Sequence, residues 1–200
     1  MQRKLNGFNE NVENQMKLLH AILKENKVIY DILRKASQLD LEDYYIGAGC
    51  ICQSVWNHQN GNDLMYGISD VDIVYYENKD LSYDAEDRVI QKCNDLYQSN
   101  KVAIDAKNQA RVHLWYEQRF GKSIPPYQSV EDAINSWPTT ASAVGVKLEK
   151  DELVVYAPFG LNDMFGQIIR ANKSLITQGT YDLKCNKWKS KWTSLEVMEW

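Results

Sequence analysis

Two carboxylates spaced two apart in an apolar run, Asp70-Val71-Asp72-Ile73-Val74-Tyr75-Tyr76, are the residues whose types and spacing most directly suit chemistry. Side chains alternate along a strand, so Asp70 and Asp72 share one face while Val71 and Ile73 take the other. Like charges this close are unfavourable unless a cation neutralises them, and hard oxygen donors favour Mg2+ or Mn2+. Val102-Ala103-Ile104-Asp105 reads as a neighbouring strand that ends in a third carboxylate. Three carboxylates on adjacent strands suit two metal ions about 3.5–4 Å apart, an arrangement used in phosphoryl transfer. An isolated Asp-x-Asp has a plainer explanation as a strand cap and a solvated strand residue, with Asp105 beginning a turn.

The upstream segment Gly47-Ala48-Gly49-Cys50 shifts that balance. A small-residue turn before a helix lets the backbone approach phosphate and aims free amides at it. After Asp105 come Lys107, Asn108, Gln109, Arg111 and His113, then Leu114-Trp115-Tyr116. Arg111 could grip phosphate through its planar fork and His113 could bond a sugar or phosphate, against the ordinary alternatives of a surface charge and a packed ring. At the C-terminal end, Lys184, Lys187, Trp188, Lys189, Lys191 and Trp192 interleave cations with indoles. The plainer expectation there is that Trp188 and Trp192 dock on the core while the lysines are solvated.

The elements that must position these residues follow from periodicity. Val12, Met16, Leu19 and Leu23 mark a helix over roughly 11–25, and Val28, Ile29, Ile32 and Leu33 a second that ends before Asp40. Tyr44-Tyr45-Ile46 predicts a strand, the glycine turn follows, and a helix runs from Cys50 to Trp56. A loop rich in Asn and Gly leads to the Asp-x-Asp strand. Ala85, Val89, Ile90, Cys93, Leu96 and Tyr97 make a helical face, so strand, helix and the Asp105 strand form a βαβ unit with parallel strands. Ser129–Asn135 predicts a short helix, Ala143–Leu148 and Leu153–Tyr156 two strands about a turn, and the remainder from about 162 to 200 reads as helical. The expectation is one α/β (α+β) domain over 1–200, with helices at about 11–38, a mixed sheet and the metal site at one sheet edge.

Composition narrows the function classes. The 200 residues are 44% hydrophobic and 25% charged, which suits a globular chain with a real core. No apolar run approaches a membrane span and the N-terminus lacks the apolar core of a signal peptide, so the expected compartment is the cytoplasm, with no membrane partner. The four cysteines are expected to be reduced thiols, and Cys50-x-Cys52 has the wrong spacing for a zinc half-site. A net charge of −4 offers no general attraction to nucleic acid.

The order of these features resembles the nucleotidyltransferase superfamily that includes DNA polymerase β and the head domain of CCA-adding enzymes. From about Tyr45 onward, GAGCICQSVWN, ISDVDIVYY, DAKNQARVHLWY, TASAVGV and APFGLNDMF together resemble a bacterial nucleotidyltransferase-like family of about this length. The resemblance implies metal-binding and catalytic roles for Asp70, Asp72 and Asp105. It implies a nucleotide contact at Gly49, and the candidate nucleotide-binding residues beside it are Gly47, Cys50 and Ser69, with Arg111 and His113 from their place after Asp105. It implies an NTP substrate, Mg2+ or Mn2+ as cofactor, and transfer of a nucleoside monophosphate to a hydroxyl on an acceptor that is a small molecule, an RNA or a protein. Position 52 is Cys where CCA-adding heads carry Arg, which removes a cation from the helix after the turn, and the long interval from Gly49 to Asp70 predicts an inserted loop near the site. The alternatives are a nucleotide- or RNA-binding module that transfers nothing, and an interaction protein without a nucleotide ligand.

Overall fold

Asparagine side chains set the two opening helices. Asn11 accepts from the Asn14 amide to cap α1 (Val12–Glu25), and Asn26 accepts from the Ile29 amide to cap α2 (Lys27–Lys35). Asn26 is buried, and its amide donates to Ser54 Oγ at 3.0 Å, which ties this corner to the helix after the glycine turn. A 3₁₀ turn over Ala36–Leu39 closes the pair at Asp40. There follow β1 (Tyr44–Gly47), α3 (Gly49–Asn60), β2 (Asp70–Tyr75), α4 (Tyr83–Tyr97), β3 (Ala103–Asn108), α5 (Val112–Phe120), α6 (Val130–Ile134), β4 (Gly145–Glu149), β5 (Glu152–Tyr156), α7 (Asn162–Phe165), β6 (Ile168–Ile169), α8 (Gln178–Lys189) and β7 (Glu196–Val197). The computed structural model describes residues 6–200, so the first five residues of the expected 1–200 domain lie outside the description.

Five strands form a mixed sheet in the order β3-β2-β1-β4-β5. The pair β2 and β3 is parallel, joined by α4 as the crossover, and the other neighbours are antiparallel. Alternation along the strands separates two apolar layers. Ile46, Val71, Ile73, Tyr75, Ala106 and Val146 face the main core with α1, α2 and α3, while Tyr45 and Val74 face a smaller cluster with Val130, Ile134 and Ala143. The carboxylates share the parity of this second face, which is only partly covered. The β4–β5 hairpin turns through Lys150 and Asp151, both at positive φ, 50° and 67°.

Two expectations need correction, and one further helix stands out. β3 continues through Asn108, so Asp105 sits within the strand rather than at its end. The stretch 112–120 is helical, although its sequence carries no continuous apolar face: Leu114 and Phe120 are exposed, and Trp115, Tyr116 and Phe120 line a cavity instead of a core. The region 162–200 is not helical throughout, because β6 and β7 pair in parallel on either side of α8. Trp188 and Trp192 do dock on the core, although Trp192 lies beyond the end of α8. Their rings meet buried Trp56 edge-on at centroid distances of 5.1 and 5.6 Å, and Trp56 Nε1 donates to the Met164 carbonyl at 3.1 Å.

This indole cluster joins α3 to the C-terminal segment, and truncating its centre leaves a cavity and removes the indole's hydrogen bond to the Met164 carbonyl. Trp56→Ala is expected to lower unfolding stability by about 3–5 kcal/mol, measured by urea denaturation, with Trp56→Phe retaining most of the packing.

Candidate metal centre and its cavity

Register brings the three carboxylates together. Asp72 lies opposite Asp105 across the parallel β2–β3 pair, and Asp70 precedes it by two on the same face. Oxygens of Asp70, Asp72 and Asp105 all lie within 4.8 Å of one another. Asp70 is exposed and accepts from the Ser69 hydroxyl, and Asp105 pairs with the Lys107 ammonium. Asp72 is the most enclosed of the three. Burial, followed by the charges of Asp70 and Asp105, pushes its carboxyl up to about 6, against the pull of Lys107 and Lys184. An all-oxygen set whose inner member resists ionisation suits a hard divalent cation, so these residues fit Mg2+ or Mn2+.

The turn before α3 works differently from its sequence expectation. Neither Gly47 nor Gly49 has a positive φ; the residue that does is Ala48, at φ 60° and ψ −131°. Such a conformation costs a non-glycine residue on the order of 1–3 kcal/mol. Gly47 is required for space, because a Cβ there would meet the Trp137 ring and the Val144 carbonyl at 2.7 Å. Gly47 pairs with Asp72 across β1–β2, so this close approach lies beside the carboxylates. Cys50 is buried and donates its thiol to the Gly47 carbonyl, leaving only its backbone as a possible ligand contact. Cys52 is buried too, and desolvation pushes its thiol up to about 12. The loop over 61–69 turns back on the C-terminal segment: Asn57 Nδ2 donates to the Leu64 and Tyr66 carbonyls, and Tyr66 meets Trp192.

The structure does not bring Arg111 or His113 to the triad in the way expected. Arg111 follows the far end of β3 and is buried, its guanidinium pairing with Glu86, donating to the Leu81 carbonyl at 3.0 Å and lying over Tyr83. Its planar fork is therefore committed to the joint between α4 and β3. His113 is half-buried, its Nδ1 has no hydrogen-bond partner, and it does not line the cavity beside the carboxylates.

A cation that the sequence places among solvated lysines turns inward instead. Thr177, Thr180, Lys184 and Trp188 recur at three- and four-residue spacing on one face of α8. Thr177 and Thr180 line the same cavity as Asp72, and Trp188 packs on Trp56, so Lys184 lies between the cavity and the core. Its Nζ stands 4.3 Å from the Trp188 ring centroid. Burial lowers the Lys184 pKa, while the charges of Cys52, Asp72 and Asp70 raise it. The signal in the sequence was this spacing from Thr177 to Trp188.

The mixed sheet thus carries its acidic residues on the parallel strand pair, with a small-residue turn opening the adjacent helix. Residues 34–197 match the model of a family described as nucleotidyltransferase, and the chain belongs to that family. A solved structure described as an NMR structure that reveals a CCA-adding enzyme head domain superposes with a TM-score of 0.74 at 21% identity. The match covers 95% of this chain and 97% of that one, and establishes the shared fold. No curated protein matches the chain. No helix among the described residues is long and apolar enough to cross a membrane.

The raised Asp72 carboxyl has a stability consequence. The folded state keeps this proton up to about pH 6, whereas the unfolded chain releases it near pH 4. The contribution of Asp72 to the stability of the metal-free protein therefore falls as pH rises through that window. In EDTA at pH 7, Asp72→Asn is expected to melt about 2–4 °C higher than wild type, the shift for roughly 1 kcal/mol in a chain of this size. By pH 4 the advantage should vanish, as scanning calorimetry at the two pH values would record.

Proposed function

We propose that this protein transfers a nucleoside monophosphate from an NTP to an acceptor hydroxyl, and that it does so in the cytoplasm. The convergence of Asp70, Asp72 and Asp105 within 4.8 Å is the observation that carries the reading. A divalent ion held by these carboxylates, Mg2+ or Mn2+, supplies charge neutralisation at the triphosphate and acidifies the attacking hydroxyl. Buried free thiols at Cys50, Cys52, Cys93 and Cys185 suit a reducing compartment.

The chain's own groups divide the remaining work. Backbone amides at Gly49 and Cys50, the first of α3, receive phosphate oxygens, assisted by the positive end of the helix. Lys184 supplies the cation that position 52 lacks, from the opposite helix and beside the same carboxylates. Ser69 orients Asp70 and Lys107 orients Asp105. Asp105 takes the proton from the acceptor hydroxyl as its oxygen bonds to the α-phosphorus and the bond to the bridging oxygen breaks, releasing pyrophosphate. Arg111 acts outside the site, as the buried partner of Glu86.

Asp105→Ala separates transfer from mere binding. Affinity for a nucleoside triphosphate with Mg2+ should persist, while pyrophosphate release falls by about 10²–10⁴-fold, the usual contribution of a positioned base. Release measured on small-molecule and RNA extracts would detect the wild-type activity. Binding by wild type without release on any acceptor would instead favour a non-catalytic module.

Lys184 and Arg111 give opposite expectations. Lys184→Met should weaken NTP binding about tenfold, the loss of one charge-assisted contact worth roughly 1.4 kcal/mol. Arg111→Lys should leave that affinity unchanged and lower the melting temperature, because an ammonium keeps the charge beside Glu86 but loses the fork that also bonds the Leu81 carbonyl. Calorimetric titration and thermal melts on both variants check the contrast.

A further inference from the structure

A cavity of about 640 Å³, within the size range of small-molecule sites, opens in front of the sheet. Ala48, the N-cap of α3, lines it together with Asp72 and Lys107, and Thr177 and Thr180 add the start of α8. These residues adjoin the groups that the transferase reading gives to the triphosphate, so the cavity continues that side of the carboxylates. Asp105, given there to the acceptor hydroxyl, is not part of the lining. A nucleoside triphosphate with its phosphates at this inner end reaches outward along the cavity with its sugar and base.

The outer walls are aromatic. Trp115, Tyr116 and Phe120 of α5 line the cavity and meet one another, with the Tyr116 and Phe120 centroids 4.6 Å apart. Trp137, whose ring crowds Gly47, carries this lining back to the turn before α3. Such rings stack on a flat heterocycle, but stacking accepts any base, so discrimination falls to the polar groups of the lining.

Most of those groups are already paired. The Tyr127 and Ser136 hydroxyls share a hydrogen bond of 2.6 Å, and Ser136 donates onward to the Ala133 carbonyl. The Thr177 and Thr180 hydroxyls share another at 3.0 Å, the Gln109 amide donates to the Lys107 carbonyl, and the Lys107 ammonium pairs with Asp105. Arg119 and Lys122 are left over: both are exposed at the outer end, and neither joins an ion pair among the described residues. Arg119 lies over the Trp115 and Phe120 rings at 5.9 and 5.5 Å, so the aromatic wall holds its guanidinium beside any base stacked there. A guanidinium and an ammonium can only donate.

We propose that this cavity seats the nucleoside of the donor triphosphate, and that Arg119 and Lys122 select guanine as its base. The inference rests on the transferase reading above. A base edge read by two donors must offer two acceptors, which guanine does with O6 and N7. Adenine places its N6 amino group beside N7, and cytosine presents its N4 amino group, so each would turn a donor toward a cation. Uracil offers O4, but with a smaller face for the rings to cover.

Calorimetric titration of the full-length protein with the α,β-methylene analogues of GTP, ATP, UTP and CTP in Mg2+ tests this. The guanine analogue should bind about tenfold or more tighter than the adenine one, the discrimination of one good bidentate contact. In Arg119→Ala/Lys122→Ala that preference should disappear, guanine affinity falling about tenfold while adenine affinity stays within about twofold. Hypoxanthine in place of guanine keeps O6 and N7 and should keep the preference, whereas 7-deazaguanine should lose most of it. Equal binding of the four analogues, or a guanine preference that survives in the double variant, overturns the inference and leaves the transferase reading standing, because the triphosphate still binds. GMP binding to wild type already saturated with the guanine analogue, and lost in the double variant, would give the cavity to the acceptor and also overturn it. No binding by any analogue would overturn both.

Discussion

Three carboxylates held within 4.8 Å of one another repel, and the surrounding structure is arranged to keep them there. Asp72 and Asp105 cannot separate without breaking the parallel register of β2 and β3, which α4 enforces as the crossover. Behind them, Val71, Ile73 and Ala106 lock the strands into the main core. In front, Lys107 and Lys184 provide partial compensation. The remaining imbalance is visible at Asp72, whose carboxyl is pushed up to about 6. Apolar packing on one face thus stores an electrostatic demand on the other, which a divalent cation would meet.

The same constraint explains the unusual backbone next to it. Ala48 holds a positive φ at the joint between β1 and α3, and its neighbour Gly47 admits the Trp137 ring against the sheet. Together these bring the start of α3 and one cavity wall up to Asp72. Strain at such a joint persists only where the surroundings over-determine it, and here β1 is hydrogen-bonded on both sides, to β2 and to β4. On the opposite side, the Trp56, Trp188 and Trp192 cluster fixes α8 so that Lys184 stays near the carboxylates.

What was legible in the sequence was what short-range periodicity encodes. Period two in Asp70–Tyr76 and the apolar spacing of Ala85–Tyr97 gave the βαβ unit, and the Asp-x-Asp spacing gave the shared face. The nucleotidyltransferase resemblance carried in GAGCICQSVWN and ISDVDIVYY agrees with the family match and the fold. The helix α5 was invisible because its aromatic stripe lines an open cavity, so Leu114 and Phe120 stay exposed and the pattern lacks a clean buried face. Arg111 looked available because sequence cannot show that Glu86, twenty-five residues earlier, would meet it at the end of β3. Lys184 looked solvated for the converse reason: its distance from Asp72 depends on how α8 docks, which is set by indoles in α3. Long-range packing, not local pattern, decided both residues.

The account depends most on the triad binding a divalent cation, and Mn2+ titration by calorimetry at pH 7 tests this directly. Wild type should bind Mn2+, and Asp70→Asn and Asp72→Asn should each weaken it by about tenfold or more while melting cooperatively as folded proteins. Absence of Mn2+ binding by wild type, or the same affinity in all three proteins, would contradict the account.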